Sequence, residues 1–348
     1  MKAGIYLGKE NVVVKELPRP VVGADDVLIR NICSSICGTD TAVWKYGPDT
    51  GHRITVGGEF GHETISRVVE VGKNVKEFTV GERVYPYPLF VKRDRSRAGT
   101  IGGFSEYILV ENARRNFNLY PVDDRISDRL ACLIEPFTVG CRAARRGMIP
   151  DGSRNGRSSY VKGQNAVVFG AGTIGIAAAA ALEHFGMGKV MLCDRSDLRL
   201  RLAAGLGFAV CNTARESFFD RATDLFGSAG SLSGAVPDVD CFIDAAGAES
   251  ILEDFLKIGK FDSRFVSVAV NKKPRTIDLL HMTYAQQTII GSGGYMPEDV
   301  RDVQEIMTDG KRNLEQIITH EYPLAELNNA IQKAADVGNC GNVIIRLQ

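Results

Sequence analysis

The sequence predicts an α/β protein in two parts, a β-rich portion followed by a doubly wound parallel sheet. Two observations carry this: the hydrophobic pattern changes near the middle of the 348 residues, and a glycine turn follows the first apolar strand of the second part.

Residues 1 to about 145 hold short alternating runs broken by Gly and Pro, such as Asp26-Val27-Leu28-Ile29-Arg30 and Ser66-Arg67-Val68-Val69-Glu70-Val71-Gly72. A period of two sets one face of a strand on a core and the other in water, so this portion reads as all-β. Residues 147–160 are polar and glycine-rich, an exposed loop at a domain junction. Beyond it, residues 165–169, 189–194, 239–244 and 264–270 are apolar strands separated by helical or loop-plus-helix stretches, the spacing of parallel strands with crossovers. After about residue 290, helical patterns near 298–308 and at 324–336 precede a closing strand at 342–347, and these would return to the first domain. The expected domains are 1–145 with 290–348, and 146–289.

Composition excludes several classes of function. Hydrophobic residues make up 44% of the chain, enough for two cores. Lys+Arg and Asp+Glu both total 42, so no global field draws the chain to nucleic acid or an anionic membrane, and a small, locally recognised substrate fits better. The N-terminal residues lack a signal-peptide core, and no stretch approaches the roughly 20 apolar residues of a membrane span, which places the protein in the cytoplasm. Eight scattered cysteines, with Cys193 and Cys241 inside apolar strands, read as reduced thiols.

The chemistry-bearing residues fall into two sets. Cys37 in Ile36-Cys37-Gly38-Thr39-Asp40, His62 and Glu63 in Gly61-His62-Glu63, and Glu135 in Ile134-Glu135-Pro136 supply a thiol, an imidazole and two carboxylates, a ligand set for one catalytic zinc. Cys37 as thiolate, His62 and either Glu63 or Glu135 would complete three corners of a tetrahedron and leave the fourth for water or substrate. Cys33 reads as packing, His52 as surface, and Glu59 is not assigned to metal. In the second set, Val167-Val168-Phe169-Gly170-Ala171-Gly172-Thr173-Ile174-Gly175 reads as strand, turn and helix start. Gly170, Gly172 and Gly175 permit the tight turn, the approach of a pyrophosphate and close helix packing, with Thr173 and Ile174 opening the helix. Asp194 ends the next strand; a carboxylate there accepts from the adenosine ribose hydroxyls and repels a 2′-phosphate, favouring NAD over NADP, although adjacent Arg195 softens the repulsion. Metal plus dinucleotide points to hydride transfer at an oxygen-bearing carbon.

Six motifs in order, Cys37-Gly38-Thr39-Asp40, Gly61-His62-Glu63, Gly102-Gly103-Phe104-Ser105-Glu106-Tyr107, Ile134-Glu135-Pro136, the glycine turn and Asp244-Ala245-Ala246-Gly247, resemble the landmarks of zinc-dependent medium-chain dehydrogenases over nearly the whole chain. Glu135, where alcohol dehydrogenases carry a third zinc cysteine, is similar to the sorbitol and polyol branch and to its sugar-phosphate members. The resemblance implies a GroES-like catalytic domain, a Rossmann domain and homo-dimers or homo-tetramers built partly through the nucleotide domain's sheet edge. It also implies that Glu63 ligates zinc directly and exchanges with water while Glu135 lies close and joins in some states. Thr39 resembles the hydroxyl that receives the substrate proton, and Arg199 the residue that covers the adenine side.

Two departures stand out. No cysteine occurs between Cys37 and Cys132, so the structural zinc of many relatives is expected to be absent; residues 90–98, with clustered bases, take its place and read as a solvated loop. Ala42 stands where several relatives, threonine dehydrogenases among them, have a histidine. That lowers threonine as a substrate and leaves water or a cofactor ribose hydroxyl to take the proton from Thr39. By position, Trp44, Tyr46 and Phe104 are pocket walls. The expected activity is an NAD-dependent, single-zinc oxidation of a secondary hydroxyl of a polyol or sugar alcohol to the ketone. The alternatives are a dehydrogenase of an amino- or phosphorylated cyclitol or sugar, and a zinc-free dinucleotide-binding sensor or structural protein, which would have lost Cys37 or His62.

Overall fold

A computed structural model describes residues 1–48, 50, 54–94, 99–151, 160–271 and 273–347. His52, residues 95–98 of the basic loop and residues 152–159 of the junction loop lie outside the described residues. The chain forms two compact units, Met1–Pro136 with Asn313–Gln348, and Phe137–Arg312. The boundaries differ from 145 and 290 for packing reasons. The later turns of the helix Ile134–Gly147 are wedded to the second unit, since a Cβ on Gly140 would sit 2.6 Å from the Ala177 methyl and one on Gly147 2.5 Å from Cys241 Sγ. The helix Pro297–Thr308 also belongs to the second unit, where it buries Val300, Val303, Ile306 and Met307 and packs on the helix Thr173–His184.

In the first unit a sheet runs in the order Ile318–Pro323, Asn342–Arg346, Val27–Ser35, Glu63–Val71, Arg83–Pro86, Leu119–Pro121, with Tyr107–Val110 also paired to Val27–Ser35. Val27–Ser35 is its spine: seven of its nine residues are buried because neighbouring strands and core cover both faces. Antiparallel pairing sets Cys33 opposite Ile65 and Ser35 opposite Glu63. That register brings the end of the spine, which leads into Cys37, beside the strand that Glu63 begins.

The second unit holds six parallel strands in the order Ala209–Asn212, Lys189–Asp194, Asn165–Phe169, Cys241–Asp244, Arg264–Ser267, Thr288–Gly291. Strand order reverses direction between Asn165–Phe169 and Cys241–Asp244, the switch point at which such sheets open a crevice at their carboxyl ends. The strands expected at 239–244 and 264–270 are shorter than read, and a hairpin of Ser228–Ser231 with Gly234–Pro237 lies between strands expected to be separated by helical or loop-plus-helix stretches. All eight cysteines are free. Among the described residues no helix is long and apolar enough to cross a membrane.

Candidate active site

Cys37 lies at the N-cap of the helix Gly38–Tyr46, where its sulfur accepts from Thr39 N at 3.5 Å and from Thr39 Oγ1 at 3.1 Å. Asp40 closes the capping box by accepting from Cys37 N at 3.0 Å through Oδ2. Its other oxygen lies 3.5 Å from His62 Nδ1, with both side chains buried, so one carboxylate fixes the thiol's helix end and the imidazole together. His62 and Glu63 follow Gly61, whose φ of +85° and whose contact with the Phe104 ring leave no room for a Cβ. A Cβ on Gly103 would fall 2.5 Å from His62 N. The Gly102-Gly103-Phe104-Ser105 stretch is held there by Asn31, whose Nδ2 donates to Gly102 O at 3.0 Å and Ser105 O at 2.7 Å.

The donor atoms of Cys37, His62 and Glu63 lie within 4.8 Å of one another. Glu135, buried at the start of its helix, is outside that group, yet its charge reaches Glu63. Burial pushes the Cys37 thiol up to about 12, with Glu63 and Asp40 adding to the rise and His62 opposing it. Burial likewise lifts the Glu63 carboxyl to about 8, helped by Glu135 and opposed by His62 and the Ser35 hydroxyl. For His62, burial disfavours the cation, but Asp40 and Cys37 outweigh it and hold the imidazole well above its usual range. Glu63 Oε2 is buried without a hydrogen-bond partner, which is costly unless a cation completes it. A thiol, an imidazole and a carboxylate converging in this way fit zinc.

In the second unit the three glycines have separate reasons. Gly170 has φ +101° and donates to Cys193 O at 2.7 Å. Gly172 caps the helix Thr173–His184, placing Thr173 and Ile174 in its first turn. A Cβ on Gly175 would sit 1.7 Å from Gly170 O. Asp194 accepts from Ala171 N at 2.7 Å through Oδ2, and from Arg195 N at 2.7 Å and Ser196 N at 2.8 Å through Oδ1, so it ties the glycine turn to the end of its own strand. Arg199 lies in the first turn of the helix Asp197–Gly205, with a terminal nitrogen 3.3 Å from where a Gly172 Cβ would be; its guanidinium faces the turn. Asp244 accepts from Ala246 N at 3.0 Å and Gly247 N at 2.6 Å, shaping the neighbouring strand end.

Residues 23–123 match the alcohol dehydrogenase GroES-like domain and residues 173–309 the zinc-binding dehydrogenase domain. The chain belongs to the zinc-dependent medium-chain dehydrogenase family. As a member it is an oxidoreductase of the zinc and nicotinamide type. L-threonine 3-dehydrogenase of Yersinia pestis (strain Pestoides F) is 25% identical over 354 residues, covering 97% of this chain and 96% of its own. The structure of 2R,3R-butanediol dehydrogenase from Bacillus subtilis is similar with a TM-score of 0.81 at 23% identity, over 100% of this chain and 99% of that one. Galactitol-1-phosphate dehydrogenase from Escherichia coli gives a TM-score of 0.80 at 20% identity, over 100% of both chains. At these identities the two structures speak for the fold alone.

Several residues of this medium-chain dehydrogenase stand elsewhere than the sequence suggests. Trp44 and Phe104 are core rather than pocket wall: Trp44 Nε1 donates to Asn328 Oδ1 at 3.0 Å, and Phe104 lies beneath Gly61, while Tyr46 is exposed. Glu59 accepts from Ser105 Oγ at 2.7 Å, and Cys33 packs its sulfur 3.7 Å from that of Cys132. Asp40 was not singled out from sequence, although its place three residues after an N-cap is the capping-box signal. His184, Asp302 and Glu305 also bring ligand atoms within 4.8 Å, but Asp302 is already paired with Arg145 and lies 3.6 Å from Arg301, so this group is an ion-pair network.

The raised Glu63 sets a pH dependence in metal-free protein. The native state keeps a proton that an unfolded carboxyl of 4.5 gives up, so stability falls as pH rises from about 4.5 to about 8. His62, raised in the fold, adds loss of the same sign above its ordinary value of 6.5. The melting temperature of chelator-treated protein is expected to decline across that window, and Glu63→Gln to flatten the decline. Thermal scans at constant ionic strength check this, and an unchanged slope in the variant contradicts it.

Proposed function

We propose that this chain is an NAD-dependent, single-zinc polyol or sugar-alcohol dehydrogenase that interconverts a secondary alcohol and its ketone. The buried Cys37, His62 and Glu63 group, with donors within 4.8 Å, carries the reading, and Glu135 beside it supports the polyol branch. A zinc ion held by Cys37, His62 and Glu63 supplies Lewis acidity that lets an alcohol ionise near neutral pH. Asp40 holds the His62 ring in place, and Thr39, whose hydroxyl adjoins the Cys37 sulfur, takes the alcohol's proton. Ala42 offers no group to pass it on, so water or a cofactor ribose hydroxyl is the next carrier. In the second unit the Gly170, Gly172 and Gly175 turn receives the pyrophosphate, the N-terminus of Thr173–His184 faces its charge, and Arg199 covers the adenine side. Asp194 favours the ribose hydroxyls of NAD. A cytoplasmic homo-dimer or homo-tetramer completes the reading.

The L-threonine 3-dehydrogenase relatives favour a second reading, threonine as substrate, against which Ala42 weighs. A panel of sorbitol, galactitol, their phosphates, inositols, threonine and simple secondary alcohols, followed by NADH absorbance on the zinc-loaded protein, separates them. A polyol is expected to give the highest kcat/KM; threonine in first place overturns the polyol assignment, and turnover only with NADP overturns the cofactor assignment.

A further inference from the structure

One face of the first unit's sheet carries arginines that its carboxylates do not balance. On the spine strand Val27–Ser35, Arg30 stands opposite Arg67 of Glu63–Val71 on one side and opposite Tyr107 of Tyr107–Val110 on the other. Arg67 in turn stands opposite Arg83 of Arg83–Pro86. Residues directly opposite in a ladder project from the same face, so three arginines and a tyrosine form one row across four strands, and like charges so placed repel. Arg19, from the stretch before the spine, joins the row. Its guanidinium lies 4.9 Å from the centroid of the Tyr107 ring, and that of Arg30 lies 6.0 Å from the same centroid.

Carboxylates answer only two of these cations. Arg83 pairs with Asp128 at 2.7 Å and lies 3.7 Å from Asp124, and Arg19 meets Glu70 at 3.2 Å. Glu82, next to Arg83 in sequence, is taken by Arg115, and Glu106, next to Tyr107, accepts from Lys2 N at 2.7 Å. Arg30 and Arg67 have no carboxylate partner among the described residues. Arg67 is exposed and commits one N–H, to Gly81 O at 2.7 Å. Arg30 makes no hydrogen bond among the described residues, and its Nε is buried without a partner. A guanidinium offers five N–H donors, and leaving those of a partly buried one empty beside a second cation is costly unless an anion completes them.

The geometry points to an oxyanion site on this face, in which Arg30 and Arg67 hold a phosphate group between them and Arg19 flanks it over Tyr107. Planar guanidinium forks match pairs of phosphate oxygens, and a compact dianion answers two uncompensated charges where one carboxylate answers a single charge. With Lys+Arg and Asp+Glu equal at 42 each, no wider field favours a long polyanion, so the ligand is free phosphate or a small phosphate ester. The site lies in the first half of the spine, whose other end leads to Cys37, and it rests on neither the metal nor the cofactor reading.

The test is calorimetric titration of the full chain with inorganic phosphate, and separately with glucose 6-phosphate, at constant ionic strength, for the native protein, Arg30→Met and Arg67→Gln. Native protein is expected to bind with Kd of about 1 mM, and each variant to bind at least roughly tenfold more weakly, because each loses charge-assisted hydrogen bonds. Tighter binding of the ester assigns the site to phosphate esters, and tighter binding of inorganic phosphate assigns it to the free ion. No binding by the native protein, or equal binding by all three proteins, overturns the site. A thermal melt without phosphate supplies a second readout. Arg30→Met removes an unanswered donor and a repulsion while keeping an aliphatic stem, so it is expected to melt no lower than the native protein. A clearly lower melt makes Arg30 a structural residue and overturns its place in the site; Arg67→Gln, at an exposed position, tests the anion by titration in either case.

Discussion

Replacing Cys37 by serine is expected to strip the protein of zinc and lower turnover by roughly a thousandfold, the equivalent of about 4 kcal/mol of transition-state stabilisation. The thiol is held up at about 12 by burial and by the carboxylates around it, so at neutral pH it becomes a thiolate only when a cation takes its proton's place. A serine hydroxyl ionises far less readily and is a harder donor, so the third ligand is lost. The fold should survive, because position 37 is an N-cap with Thr39 N as donor, and serine caps helices well. That separation makes the variant informative. Elemental analysis of native and variant proteins, a thermal melt and NADH production together check the expectation. Zinc retained in the variant with native turnover contradicts the assignment of Cys37 to the metal.

What the sequence made legible is what local motifs carry. That Cys37, His62 and Glu63 converge is legible in sequence because each belongs to a short motif at an element boundary, an N-cap or a strand start. The glycine turn is legible for the same reason. Whether Glu135 stands inside or beside the metal group depends instead on how the helix Ile134–Gly147 begins, which no spacing records. The compact units part at other positions than 145 and 290 because an amphipathic pattern shows that the helix Pro297–Thr308 buries one face, not which unit receives it. Trp44 and Phe104 look alike as pocket walls or core until their neighbours are known. Arg30 and Arg67 carry no signal, since strand register is what sets them opposite each other.

Gly175→Ala is expected to cripple the other half of the chemistry while leaving zinc content unchanged. A Cβ there would fall 1.7 Å from Gly170 O, against the 3.0 Å that real Cβ atoms keep, so more than an ångström of movement is required. Neither partner can yield cheaply. Gly170 is pinned by its bond to Cys193 O at 2.7 Å and hemmed on its far side by the Ala245 backbone, 3.0 Å from where its own Cβ would be. The helix Thr173–His184 has eight of its twelve residues buried, so sliding it outward opens the core beneath. The strain of such overpacking is about 1–3 kcal/mol, and on the proposal that the displaced helix N-terminus meets the pyrophosphate, NADH affinity should fall by at least roughly tenfold. Gly172→Ala makes the contrast: its Cβ would meet only the tip of Arg199 at 3.3 Å, a flexible side chain that can swing aside, so its effect should be smaller. NADH titration by fluorescence and thermal melts of both variants distinguish these outcomes. Native NADH affinity and melting in Gly175→Ala would mean that the turn tolerates a side chain, and the assignment of the cofactor's pyrophosphate to it would fall.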